Sequence, residues 1–153
     1  MSIDQTLANL GITLPQPAAP VASYVPAVEQ DGLLHISGQI SFAEDGSLIK
    51  GRLGGDMELD AGQQAARRCG IMLLAQIKAA LGSLDRVERI VKLGVFVNSA
   101  PGFTDQPKVA NGASELMQEV FGEIGRHARS AVGVAVLPLG VAVEVDAIVA
   151  VRA

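Results

Sequence analysis

Two charged side chains fall among residues that are otherwise small or apolar. Arg129 stands in Ala128-Arg129-Ser130-Ala131-Val132-Gly133-Val134, and Glu144 in Val141-Ala142-Val143-Glu144-Val145-Asp146. A guanidinium among alanine and glycine is pre-organised to hold a carboxylate through two parallel hydrogen bonds. The same arginine could instead form a structural salt bridge to Glu144 or Asp146 of a neighbouring subunit, and spacing alone leaves both readings open.

The stretch from His127 to Val149 alternates with period two on both sides of Leu137-Pro138-Leu139-Gly140, which predicts a hairpin in which Val136 faces Val141, Gly133 faces Glu144 and Arg129 faces Ile148. One face is then a valine-rich core face carrying Val132, Val134, Val136, Val141, Val143 and Val145. The other carries Arg129, Ala131, Gly133, Glu144 and Asp146, too bare for an ordinary solvated surface. In this register Arg129 and Glu144 lie about 13 Å apart along the strands. A site that joins them is therefore expected between subunits.

Other chemistry is harder to assemble. His35 and His127 lack metal-ligand spacing, so no metal is expected, and His127 reads as a surface or packing histidine. Cys69, the single cysteine, falls on the apolar side of a helical pattern and reads as core; one cysteine excludes an intrachain disulfide and fits a reducing compartment. Glycine is plentiful, but neither the P-loop spacing nor a strand-borne Gly-x-Gly-x-x-Gly occurs. A net charge of -4, a pI near 5.1 and the lack of any basic run argue against nucleic acid as partner. No signal peptide and no membrane span can be read, so the default is a soluble cytoplasmic protein.

The elements that must position these residues fit one domain in a chain of 153 residues. Residues 1–23 read as a short N-terminal helix, opened by a Ser2 and Gln5 capping box, followed by an arm with Pro15, Pro17 and Pro20. Residues 24–153 read as the domain itself. Tyr24 to Val28 and Leu33 to Ile40 form a hairpin about Asp31-Gly32, and Gly38 near the end of its second strand signals a bulge or a close approach by another group. Asp60 can cap a helix running to about Leu81; Arg86 to Val97 alternates as a strand; a second helix runs from about Gln106 or Pro107 to Phe121. Two helices can cover only one face of a sheet of five or six strands, and the simplest cover for the other is a second copy of the chain.

Ser37-Gly38-Gln39, Val95-Phe96-Val97, the Ala128 to Val134 run, Leu137-Pro138 and Val143-Glu144-Val145 resemble the Rid family, also called YjgF, from about Tyr24 to Val151. Asn98 to Pro107 and Phe121 to Arg129 look like a YjgF-related branch rather than the best-studied deaminase branch. Some members carry the names endoribonuclease L-PSP or translation initiation inhibitor. The resemblance implies an α+β, chorismate-mutase-like fold: a mixed sheet of about six strands with two helices on one face, assembled as a homotrimer with a central β-barrel and clefts between subunits. It implies hydrolysis of enamines or imines such as 2-aminoacrylate to 2-keto acids and ammonia, without metal or organic cofactor. By position, Arg129 would clamp the substrate carboxylate and Glu144 would hold or activate water. Tyr24, Ser37, Gly38 and Asn111 would line the cleft, with Asn111 aligned only across a gap, and backbone near Ala131 would hold the imine. Many members have cysteine where this chain has Ala131, a departure that keeps the backbone role, argues against any thiol-dependent activity and leaves the substrate range open. The alternatives are a non-catalytic trimer that binds small carboxylates or keto acids, and a ribonuclease, which the acidic composition opposes.

Overall fold

Two strand-helix-strand crossovers organise the chain in a computed structural model that describes residues 1–20 and 22–153. The first runs from β2 (Leu33–Ile40) through α2 (Leu59–Leu81) to β3 (Val87–Asn98); the second runs from β3 through α3 (Gln106–Phe121) to β4 (Ala128–Val134). Parallel neighbours need such a crossover, and β4 runs parallel to β3. The final strand, β5 (Val143–Val151), returns antiparallel between β2 and β3. With β1 (Ala27–Gln30) at the far edge, the order is β1-β2-β5-β3-β4. The α+β class stands; the sheet has five strands rather than six, and α1 (Ile3–Asn9), with its Ser2–Gln5 capping box, makes a third helix. Val21, within the proline arm, lies outside the described residues.

The predicted hairpin of β4 and β5 does not form, because β3 lies between them. Leaving β4, the chain passes over the end of β3 and is tied down there. Ser99 N donates to the Val134 carbonyl at 3.0 Å, Arg52 Nη2 to Ala135 at 2.7 Å and Asn98 Nδ2 to Val141 at 3.1 Å. Leu139, at φ 59°, and Gly140, at φ 74°, complete the reversal in the left-handed region.

That topology reassigns the faces. Leu93, Val95 and Val97 are buried under the helices, and they pair with Arg129, Ala131 and Gly133. Arg129 and Ala131 therefore belong to the helix-covered side, whereas Val132 (46% exposed) and Val136 (68%) do not reach the core. Glu144 and Asp146 pair with Phe96 and Gly94, which point the other way. Arg129 and Glu144 thus lie on opposite faces of one sheet, not together on its bare face.

Smaller corrections have equally local causes. Register shifts between Val87 and Arg89 and between Ile90 and Lys92 break the alternation of β3, so Ile90 is fully buried and Val91 is not. The first strand begins at Ala27 rather than Tyr24, since Pro26 precedes it. The N-cap of α2 is Glu58, not Asp60, and its side chain makes no capping bond. Cys69 is wholly buried, as expected, and burial pushes its thiol far up. No helix among the described residues is long and apolar enough to cross a membrane.

Candidate functional site

Arg129 reaches from edge strand β4 onto α3. Its Nη1 donates to Asn111 Oδ1 at 2.8 Å and to Ser114 Oγ at 3.1 Å, and its Nη2 donates to the Pro107 carbonyl at 3.2 Å. A guanidinium has five N–H groups. Three contacts with the chain leave at least two of them, Nε included, without a protein acceptor among the described residues. Two donors on one edge are what a bidentate carboxylate takes.

The cavity beside it, about 230 Å³, is lined by Asn111, Ser114, Gln118, Arg126, His127 and Arg129. Two arginines and no carboxylate line it, so its charge suits an anion. His127 Nδ1 lies 2.7 Å from the Gly125 carbonyl and Nε2 lies 2.8 Å from Ser114 Oγ. A carbonyl only accepts, so Nδ1 carries the proton and Nε2 accepts from Ser114. Burial keeps the imidazole less basic than usual; the Arg129 charge works in the same direction, against the Gly125 hydrogen bond.

Glu144 belongs to a second cleft, about 370 Å³, on the sheet's other side, where Tyr24, Pro26, Gly38, Phe42 and Leu139 also contribute walls. The β2 register shifts between Ile36 and Gln39, which places the bulge at Ser37-Gly38. The Glu144 carboxyl lies against Gly38, where a Cβ would come within 2.9 Å of its carboxyl carbon. Both readings of that glycine, bulge and close approach, therefore hold. Ser37 Oγ donates to the Val25 carbonyl at 3.0 Å, fixing the segment that carries Tyr24. Further back, Gln76 of α2 donates to the Ala18 carbonyl at 2.8 Å and to Gln39 Oε1 at 3.2 Å, so the proline arm is anchored where it borders the cleft. Burial raises the proton affinity of Glu144, and the negative charge of Asp146 raises it further.

The seven residues picked from sequence thus fall into two groups. Arg129, Asn111 and Ala131 gather at the junction of α3 and β4; Glu144, Gly38, Ser37 and Tyr24 gather across the sheet. Ala131 packs on the core margin, with its backbone on edge strand β4. Ser114, Gln118 and Arg126 were not anticipated, and His127, read as a surface or packing histidine, is half-buried and hydrogen-bonded to Ser114 beside Arg129. One signal was present: Asn111, Ser114 and Gln118 recur at helical spacing along one face of α3.

The comparisons agree with this architecture. A family model described as "YjgF/chorismate_mutase-like, putative endoribonuclease" matches residues 4–149. Protein TCP17 of Trypanosoma cruzi is 56% identical over 144 residues, 94% of this chain and 90% of that protein. The crystal structure of protein Atu1372 from Agrobacterium tumefaciens superposes with a TM-score of 0.90 at 44% identity, covering 99% of this chain and 94% of that one. A 2-iminobutanoate/2-iminopropanoate deaminase of Dermatophagoides farinae is 28% identical over 143 residues, 92% of this chain and 95% of that protein. With the match running almost from end to end, the chain belongs to the YjgF/RutC/Rid family.

Proposed function

We propose that this protein hydrolyses small 2-imino or enamine carboxylates to 2-keto acids and ammonia, in clefts between the subunits of a homotrimer. The observation that carries the reading is Arg129, which keeps at least two N–H donors unspent and lines an acid-free cavity. The deaminase name of one relative supports it. Because Arg129 and Glu144 occupy opposite faces in one chain, a complete site needs Arg129 of one protomer and Glu144 of the partner subunit.

In such a cleft Arg129 holds the substrate carboxylate and Glu144 orients a water against the C=N carbon. Water adds to that carbon as Glu144 accepts its proton and passes it to the imine nitrogen. The carbinolamine then collapses: Glu144 takes the hydroxyl proton as the keto group forms, the C–N bond breaks, and ammonia leaves with that proton. An imine is already electrophilic, so general acid-base help of about a hundredfold or more suffices. The separation of the two groups favours a second reading, a carboxylate or keto-acid binder that never brings Glu144 to its ligand.

Adding the protein to a dehydratase that generates 2-aminoacrylate is expected to speed keto-acid release. Binding of 2-ketobutyrate without any such acceleration would favour the binder instead. The pH profile adds a finer check. Glu144 acts as a carboxylate, so its raised proton affinity makes activity fall, as pH drops, at a higher pH than for an ordinary glutamate. Asp146→Asn, which removes the neighbouring charge, is expected to move that acid limb to lower pH.

A further inference from the structure

We propose that Ser114 and His127 are positioning residues for Arg129, and that a carboxylate settling on Arg129 draws a proton onto His127. The proposal rests on the reading of Arg129 as a carboxylate clamp. Four groups form one chain of hydrogen bonds. Arg129 Nη1 donates to Ser114 Oγ at 3.1 Å, Ser114 Oγ lies 2.8 Å from His127 Nε2, and His127 Nδ1 lies 2.7 Å from the Gly125 carbonyl. Each link fixes the next. The carbonyl sets the tautomer, the tautomer makes Nε2 an acceptor, and the Ser114 hydroxyl must then point its hydrogen at His127 and its lone pairs at Arg129. Ser114 is 7% exposed, so water offers its hydroxyl little competition for this arrangement.

The charges around His127 set the direction of the coupling. The strand that follows it supplies Arg129 and the preceding residue is Arg126, while α3 presents neutral Asn111, Ser114 and Gln118. From β3, Arg89 donates to the Arg126 carbonyl at 2.8 Å. The Arg129 charge adds to burial, the larger cause, in holding down the proton affinity of the imidazole while the site is empty. A bound carboxylate cancels much of that field, so His127 binds a proton more readily. Nε2 then donates to Ser114 Oγ, and the serine hydrogen is released from His127 toward the cavity, where an anion can accept it. Linkage is reciprocal: if the anion favours the proton, the proton favours the anion to the same factor.

The test is a titration of the full-length wild-type protein with 2-ketobutyrate, followed by calorimetry and by the imidazole NMR signals of its two histidines. The His127 signal, assigned by its loss in His127→Gln, is expected to titrate at higher pH with ligand than without. Affinity is expected to rise about fivefold between pH 8 and pH 6. His127→Gln keeps an acceptor for Ser114 but cannot titrate; it should bind with that pH dependence gone. Ser114→Ala should weaken binding at every pH and shrink, without abolishing, the effect of ligand on the His127 titration. Binding that leaves the wild-type His127 titration unmoved would overturn this proposal and spare the clamp. Absence of any 2-ketobutyrate binding would overturn both.

Discussion

Arg129→Lys is expected to lower kcat/KM for imine hydrolysis by about a hundredfold to a thousandfold while leaving the protein folded. Lysine keeps the positive charge, so the substitution isolates the geometry of the fork from its charge. In the wild type, three guanidinium hydrogens are spent on Asn111, Ser114 and the Pro107 carbonyl, which leaves two to meet a carboxylate in parallel. An ammonium can contact the carboxylate or the α3 acceptors, but it cannot present a planar pair to the one while bracing against the others. Each charge-assisted hydrogen bond contributes about 1.5–3 kcal/mol, so losing one of the pair outright and weakening the other accounts for the expected range. Folding should change little by comparison, because Arg129 lies near the start of edge strand β4, water can reach the vacated Asn111 and Pro107 acceptors, and buried Ser114 keeps its bond to His127. Keto-acid release from dehydratase-generated 2-aminoacrylate, read beside thermal unfolding, checks both halves. A rate within threefold of wild type would remove Arg129 from the substrate site. Asn111→Ala, which removes one brace but leaves the fork, is expected to fall between the two.

The parts of this site that could be read from sequence were those encoded locally. Ser37-Gly38 announced a bulge because a glycine inside a strand has few other uses, and the bulge is there, with Glu144 lying on it. The spans of β2 and α3 followed from alternation, helical period and proline placement, and both stand as read. The failures concern partners. Period-two alternation says which residues of β4 share a face, but not which face is covered. The valines at 132, 134 and 136 looked like core because three β-branched side chains in alternation are usually buried. On an edge strand the choice passed to α3, which covers Arg129 and Ala131 instead. The proline-glycine reversal before Val141 invited a hairpin, although the strand-helix-strand order of β3, α3 and β4 already held the crossover that makes β4 parallel to β3. Ser114 meeting His127 joins α3 to the connection that leads into β4, and no short-range pattern records it. The division of the site into two faces has the same origin, since one misplaced strand partner moved Arg129 from Glu144's side of the sheet to the other.

Gly112→Ala is expected to destabilise the protein by about 2–4 kcal/mol, whereas Gly70→Ala, also inside a helix, should be close to neutral. The contrast follows from what a methyl group would meet at each position. At Gly112 the two long helices touch through backbone. A Cβ there would lie well inside contact distance of the Gln63 carbonyl oxygen, 2.8 Å from the Gln63 carbonyl carbon and 3.2 Å from the Arg67 nitrogen. None of these atoms can swing aside, so α3 would have to lift from α2. That lift would strain the Gln63 bond to the Lys108 carbonyl, now 2.9 Å, and the Arg67–Glu119 ion pair, now 3.1 Å. At Gly70 the nearest atom is the Leu116 Cδ2 tip at 2.7 Å, the end of a side chain that can rotate, with Ala113 Cα next at 3.6 Å. Helix propensity there returns about 1 kcal/mol on replacing glycine by alanine, enough to offset the adjustment. For a chain of this length each kcal/mol moves the midpoint by about 2–4 °C, so thermal unfolding separates the two variants clearly. Equal midpoints would mean that the helices are not held at backbone contact. The consequence reaches the site as well, because Asn111 and Ser114 flank Gly112 and both brace Arg129. Where Gly112→Ala still folds, its affinity for 2-ketobutyrate should fall even though no residue of the clamp has been changed.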